Sequence, residues 1–342
     1  MSREIFKFFK NFFAAANRWT KRTDECTIGV KEARGMSTVK RIATYVLVLV
    51  LLLCSTGCAE QAATDPTTAI TQPPVKESLK IISFNIQTHS GGQPFFVRSE
   101  MMTEFVSEWM PDSIGMQEVT STWRKELEAT CFGEQYSSVG NAKMSTGEMN
   151  AIFYRNDKFT LVDSGTFWLS DTPDVVGSMI EGSGEPRTCT WARLKNKNTA
   201  AEFVHLNVHL DINGSAVRVK QGQALMEFVR GLGDVPMILT GDFNQSRMKS
   251  ETEFYPVYQV VAALFSDARL TAPDTVSPDE WASMTRYHLE PDYYDPARQP
   301  IDYVFYTAAH FEPTVYRNII KVRDEVFTIS DHWAQYAEFT VK

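Results

Sequence analysis

Apolar positions along the chain keep two rhythms, and each predicts its own elements. Runs that alternate, or that are apolar almost throughout, recur at "LKIISFNI" from Leu79, "DSIGMQEV" from Asp112, "MNAIFYR" from Met149, "FTLVDSGTFWL" from Phe159 and "CTWARLK" from Cys189. Polar turns separate them, which is the pattern of strands. "EFVHLNVHLD" from Glu202 alternates cleanly, with Val204, Leu206, Val208 and Leu210 on one face and His205, Asn207, His209 and Asp211 on the other. Two stretches keep the helical period instead. "FVRSEMMTEFVSEWM" from Phe96 sets Val97, Met101, Phe105 and Trp109 on one face and stops before Pro111. "AVRVKQGQALMEFVRGLG" from Ala216 is a second amphipathic helix, ended by glycines. It leads into "MILTGDFNQ", Met237 to Gln245, where Met237, Ile238 and Leu239 predict a strand buried on both faces. Gly241 is expected to let the backbone leave the sheet without a Cβ clash, Asp242 and Asn244 to share a face, and Phe243 to turn back into the core. "PIDYVFYT" from Pro300 and "WAQYAEFTV" from Trp333 close the chain as strands. No short-period repeat and no internal linker divides residues 79–342, so one domain of mixed strands and helices is expected.

The first 58 residues break this pattern. "MSTVKR" gives a basic start at Met36, and "IATYVLVLVLLLC" is a 13-residue apolar run from Ile42 to Cys54. A spanning helix needs about 20 apolar residues, so the run reads as a signal-peptide core. "STGC" follows, and the small residues before Cys58 resemble the lipobox of bacterial lipoproteins, which makes Cys58 the expected lipidation site and N-terminus of the mature chain. Ser55 stands where a Leu is usual, and a signal anchor or ordinary cleavage are the alternatives. Residues 1–35 are read as an over-extended start. Ala59 to Ser78, rich in Ala, Thr, Gln and Pro, is expected to be a solvated tether, and residues 79–342 the domain.

Removing that leader changes the charge. Residues 1–58 hold 10 Lys+Arg and 4 Asp+Glu, so the remainder holds 24 against 38, a net charge of −14 where the whole chain has −8. A nucleic-acid binder carries a basic footprint, and none is visible. Of five cysteines, Cys131 and Cys189 belong to the domain; they either pair in an oxidising envelope or stay as buried thiols.

The polar signals fall at strand ends. Asn85 follows "IISF", Glu118 follows "IGMQ", Asn207 and His209 share one face, Asp242 and Asn244 follow Leu239, Asp302 opens "DYVFY", and Asp331 and His332 precede the last strand. One such Asp or Asn is usually a turn residue. Repeated at five or six strand ends, in a chain with only six His, acids and amides match what metal-assisted attack on a phosphate ester requires. A hard Mg²⁺ takes carboxylate and amide oxygens, a water must be oriented, and imidazoles neutralise the developing charge.

"SFNI", "QE", "NAIFYR", "NVHLD", "GDFN", "IDYVF" and "SDH", in this order, resemble the endonuclease/exonuclease/phosphatase superfamily over Leu79 to Lys342. "DSGTFWLSDTP" and "TWARL" resemble a bacterial branch of secreted or lipid-anchored members. The resemblance implies a four-layer α/β sandwich, two mixed sheets packed face to face with helices on both outer sides and the site at one end. It implies that Glu118, with Asn85, holds a divalent cation, Mg²⁺ or alternatively Mn²⁺, with Asp331 close to it or bound through water. Asp242 would orient or deprotonate the attacking water and Asn244 hold water or phosphate. His332, fixed by Asp302, would bond a phosphoryl oxygen, and His209 would stabilise the transition state or help protonate the leaving oxygen, with Asn207 on the same face as a substrate-binding residue.

Other residues carry weaker signals. Arg187 and Asn150 are candidate substrate contacts, as are Glu148 and Arg193; His205 lies about 13 Å behind His209 along the strand and reads as structural, Asp211 as a turn residue, and Trp168 and Trp191 as core. The sequence departs from the branch around the substrate: Gln87 stands for an arginine, Val208 and Ile212 for a threonine and a histidine, and "SMTRYH" for a Thr-Phe-aromatic turn. The expected activity is a Mg²⁺-dependent phosphodiesterase of the bacterial envelope, lipid-anchored and monomeric. A sugar- or inositol-phosphate monoesterase, an endonuclease and a catalytically silent binding protein are the alternatives.

Overall fold

In a computed structural model, residues 78–145, 147–250, 253–275, 282–287 and 300–342 are described. The leader, Cys58 and residues 59–77 of the tether lie outside them, and Ser78, the last residue given to the tether, belongs to the first strand. The chain runs β1 (Ser78–Asn85), α1 (Phe95–Trp109), β2 (Ser113–Val119), α2 (Ser121–Ala129), β3 (Tyr136–Val139), β4 (Met149–Arg155), β5 (Phe159–Trp168), β6 (Thr188–Asn196), β7 (Glu202–His209), α3 (Ser215–Leu232) and β8 (Met237–Asp242). It continues through α4 (Pro256–Ala262), β9 (Ser266–Asp267), α5 (Ala268–Thr271), β10 (Asp274–Thr275), β11 (Asp302–Tyr306), β12 (Phe311–Ile319), β13 (Val322–Arg323), β14 (Phe327–Thr328) and β15 (Ala334–Val341). One sheet has seven strands in the order β10-β12-β15-β1-β2-β4-β3 and the other six in the order β5-β6-β7-β8-β11-β9. Both are mixed: β1 with β2 and β7 with β8 are parallel, and most other neighbours are antiparallel.

Three apolar clusters define four layers. Ile82, Phe84 and Met116 pack outward against Met101 and Phe105 of α1 and Trp123 of α2. Val204, Leu206, Val208 and Leu239 pack outward against Leu225 and Met226 of α3 and Val257 of α4. Between the sheets lie Leu79, Ile81, Ile152, Phe203, Ile238, Val304 and Phe339. This sandwich is the architecture expected from the motifs. α1 ends where it should, because Met110 takes a left-handed φ of 43° ahead of Pro111. α2, α4 and β12 had no clear signal: α2 and α4 span 9 and 7 residues, too short for the period to stand out.

The polar face of β7 is where expectation and structure part. Solvent would suit it, yet seven of the eight residues of β7 are buried and that face looks across to the other sheet. His205 meets Ser113 at 2.7 Å and Thr240 at 2.9 Å. Asn207 donates to the Met116 and Ala151 carbonyls, both at 2.9 Å, and accepts from Gln117 at 2.7 Å and Thr240 at 3.1 Å. Asn207 is fully buried with its amide wholly engaged, so its expected part in substrate binding is corrected: it pins the two sheets together. Gly115 permits the close approach, since a Cβ there would lie 2.1 Å from Thr240 Oγ1 and 2.8 Å from Asn207. The inter-sheet layer is thus graded. On β1, Leu79 and Ile81 give way to Ser83 and Asn85, and on β8, Ile238 gives way to Thr240 and Asp242.

Cys131 and Cys189 are both free thiols, which removes the pairing alternative. Burial pushes Cys131 up to about 12 and Cys189 still higher, so both are inert. Among the described residues, no helix is long and apolar enough to cross a membrane.

Burial lowers the His205 pKa from 6.5 to about 3. The folded chain therefore refuses a proton that the unfolded chain accepts below pH 6.5, and stability falls as pH drops from 6.5 towards 3. Urea unfolding of wild type and His205→Gln across that range should differ in slope by about 1.4 kcal/mol per pH unit, the wild type being the steeper. Parallel slopes would show that His205 is not held neutral.

Candidate active site

The chemistry gathers at one end because register puts it there. His209 and Asp242 end the parallel strands β7 and β8 and pair with each other, and Asp302 opens the antiparallel β11 opposite Asp242. Gly241 does not let the chain leave the sheet, as expected; it lies within β8, where a Cβ would meet Val208 Cγ2 at 2.5 Å and the Val208 carbonyl at 2.6 Å. The exit comes three residues later, at Asn244, with a left-handed φ of 46°. Phe243 is buried against Tyr303 and Phe305, as its alternation predicts.

Asp242 is the hub. Its Oδ1 accepts from the Asn244 backbone N–H at 2.7 Å and its Oδ2 from Asn85 Nδ2 at 2.9 Å. His209 Nε2 and His332 Nε2 stand 3.5 and 3.9 Å from Oδ2. Burial and then the charge of Asp302 raise Asp242 to about 7, against the pull of His332, Asn244 and Asn85. His332 Nδ1 lies 2.8 Å from Asp302 Oδ2. Burial alone would lower this ring, but the charge and hydrogen bond of Asp302, followed by Asp242 and Asp331, raise it to about 10. His209 goes the other way: burial, then the charges of Arg187, His332 and Lys143, hold it well below its usual value. Of the two histidines, one is a cation and the other neutral. Asn244 Nδ2 donates to His209 Nε2 at 2.9 Å and to the Leu210 carbonyl at 2.9 Å, which puts the His209 proton on Nδ1.

The next group along is Glu118. It sits at a break in the β2–β4 register with a φ of 61°, a strained conformation for a residue with a Cβ. Its carboxylate accepts from Asn85 Nδ2 at 3.0 Å and from the Thr88 backbone at 3.0 Å. Burial nonetheless pushes its carboxyl upward. Asp331 and Glu118 both act on Arg98 and Tyr287, so the two acids share one neighbourhood. Asp242, Asp302 and His332 also bring one ligand atom each within 4.8 Å of one another. There, however, the protonated His332 ring already supplies the positive charge between two carboxylates. The carboxylate oxygens of Glu118 and Asp331 are the better match to a hard divalent cation, while Asn85 turns Nδ2 to Glu118 and accepts at Oδ1 from the Gln87 backbone at 3.0 Å.

Arg187 is buried beside His209; its Nη2 reaches Glu185 at 2.8 Å, and Asn150 donates to the Thr188 carbonyl at 2.8 Å in the same wall. The weaker candidates divide. Glu148 is taken by Lys143 at 2.5 Å and Arg193 by Glu202 at 2.8 Å. Asp211 accepts from the Gly184 and Asn213 backbones, as a turn residue should, and Trp168 is buried. Two of the departures turn out to be partners, since the Tyr287 hydroxyl donates to Gln87 Oε1.

Sequence reasoning missed the supporting groups. Ser283 donates to Asp302 Oδ2 at 2.5 Å and accepts from the Ile301 and Asp302 backbones. Ser330 donates to the Asn85 carbonyl at 2.7 Å and accepts from the His332 backbone. Arg98 is fully buried and donates to the carbonyls of Ile86, Gln87, Thr88, Gly91 and Ile329, holding the loop after β1. Arg98 had a readable signal: it lies one turn before the buried Met102 on the inner face of α1. The serines had none.

Compared by sequence, no family model matches the chain and no curated protein does. Solved structures do match. An endonuclease/exonuclease/phosphatase family protein from Bacteroides thetaiotaomicron shares 27% identity at a TM-score of 0.68, over 78% of this chain and 98% of that one. The chain belongs to the endonuclease/exonuclease/phosphatase superfamily. Another superfamily member, a mannosyl-6-phosphatase of Bacteroides thetaiotaomicron, is 27% identical at a TM-score of 0.66, over 77% of this chain and 99% of that one. The catalytic domain of human Nocturnin, at 17% identity and a TM-score of 0.59 over 78% of this chain and 95% of that one, shares the superfamily fold alone.

The Asp302–His332 pair has a pH signature. A raised ring contributes stability that is complete below pH 6.5 and is lost as pH climbs towards about 10. Ring ¹⁵N chemical shifts should show His332 still protonated at pH 8 in the wild type and neutral there in Asp302→Asn. A neutral wild-type ring at pH 8 would refute the pairing.

Proposed function

We propose that this chain is a divalent-metal-dependent phosphoesterase that hydrolyses a phosphodiester by in-line attack of water. The observation that carries the reading is Asp242, a carboxylate raised to about 7 and set between a neutral His209 and a protonated His332. A carboxylate poised near neutrality is suited to orient a water and take its proton. His332, kept charged by Asp302, donates to a phosphoryl oxygen as negative charge builds there. The neutral His209 presents an N–H to the ester. This narrows the expectation for His209, since a ring without a second proton acts as a hydrogen-bond donor rather than as an imidazolium acid. Asn244 fixes its tautomer. Glu118, Asn85 and Asp331 are the residues to hold the cation, Mg²⁺ or Mn²⁺, whose chemistry when bound is to polarise the phosphoryl oxygen.

Monoester hydrolysis is the second reading, favoured by the likeness to the mannosyl-6-phosphatase. A nucleic-acid substrate is disfavoured by the net charge of −14 outside the leader. Phosphodiester and phosphomonoester substrates, each assayed with Mg²⁺, Mn²⁺ and chelator, separate these readings. Asp242→Asn and His332→Ala should each lower kcat by about 10² to 10⁴, and His332→Ala, which strips Asp302 of its buried cation, should lower the melting temperature as well. Glu118→Gln should raise the Mg²⁺ concentration needed for half-maximal rate. Full activity in chelator, or in Asp242→Asn, would end the mechanism.

The protein works as a monomer in the bacterial envelope, on the periplasmic or surface side, lipid-anchored through Cys58. The support is the 13-residue apolar run followed by "STGC". Expressed in a bacterium, the wild type should partition with membranes and Cys58→Ser should be released or remain unprocessed. Identical processing and partition of the two would rule out the anchor.

A further inference from the structure

Beside His209 lies a small cavity of about 10 Å³, walled by Lys143, Glu148, Asn150, Pro186, Arg187 and His209. It has room for about one water-sized group. Three buried atoms in this wall lack a hydrogen-bond partner: Arg187 Nε, Arg187 Nη1 and His209 Nδ1. Arg187 is only 5% exposed, and its Nε stays 3.8 Å from Asp211. A buried donor left unmade costs about 1–3 kcal/mol, so an arginine present only to pair with Glu185 would be expected to satisfy its other N–H groups as well. Arg187 and His209 both line this space, which adjoins the residue that presents its N–H to the ester.

We propose that this cavity receives one hydroxyl of the leaving alcohol, and that Arg187 thereby selects substrates whose leaving alcohol carries further hydroxyl groups, as in a sugar or glycerol. The inference rests on the phosphoesterase reading and deepens it. A second phosphate is a poor occupant, because the two cations there, Lys143 and Arg187, already face three carboxylates. Lys143 bridges Glu148 and Glu185, while Arg187 touches Glu185 and stands near Asp211. A nucleobase is a poor occupant too, since no Phe, Tyr or Trp lines the cavity to stack on. A hydroxyl suits it, because it accepts from the guanidinium and donates to the Glu148 carboxylate at the same time.

The test uses two substrate pairs, one of each ester class: a hexose 6-phosphate against 4-nitrophenyl phosphate, and glycerophosphoglycerol against bis(4-nitrophenyl) phosphate. Arg187→Met keeps the bulk and loses every donor. It should lower kcat/KM for the hydroxyl-bearing member of the pair that the enzyme accepts by about 10- to 100-fold, the worth of one or two hydrogen bonds to a charged group, and leave the nitrophenyl member within about threefold. Equal losses on both members at an unchanged melting temperature would overturn the proposal and make Arg187 a phosphate or structural residue; so would no loss at all. Should Arg187→Met not fold, Arg187→Lys, which keeps the charge and loses the fork, must show the same selective loss, and an even loss there counts against it. A wild-type protein inactive on all four substrates with every metal would instead sink the phosphoesterase reading, and this inference with it.

Discussion

Every polar group buried between the two sheets must find a partner there, and that requirement organises the molecule. Water cannot reach Asn207 or His205, and an unmade hydrogen bond in such a place costs more than a made one contributes. Asn207 answers by binding both sheets at once, through the carbonyls of Met116 and Ala151 and the side chains of Gln117 and Thr240. The sheets are therefore registered by directional bonds at the site end and by apolar contact at the other. A purely apolar interface would tolerate sliding; this one does not.

That fixed register lets two imidazoles within 4 Å of one carboxylate oxygen hold different charge states. His332 has Asp302 at its back and is surrounded by acids. His209 has Asn244 beside it and cations around it. Neither state belongs to histidine as such: the charge of Asp302 overcomes burial to keep one ring protonated, and burial, then the surrounding cations, keeps the other neutral. Ser283 and Ser330 matter for the same reason, because they fix the backbone and carboxylate on which the His332 charge depends.

Much of this was legible in the sequence. Strand-end positions of Asn85, Glu118, His209, Asp242, Asp302 and His332 could be read from periodicity, and parallel or antiparallel pairing was enough to bring them together. The role of Asn207 was misread because alternation reports that a face is polar, not whether it meets water or another sheet. Gly241 was misread for a related reason: a glycine at a strand end fits a turn and a close approach equally well, and only the position of Val208 distinguishes them. Ser283 and Ser330 escaped since their partners, the Asp302 carboxylate and the Asn85 carbonyl, lie elsewhere along the chain, which no local pattern encodes.

Glu118 carries its carboxylate on a backbone turned to a φ of 61°, where a side chain with a Cβ is held at a cost of about 1–3 kcal/mol. Glycine at that position would relax the strand and remove the carboxylate together. Selection for thermal robustness alone would thus drift towards loss of the cation site, and variants recovered from such a screen would be the sturdier for having lost their chemistry.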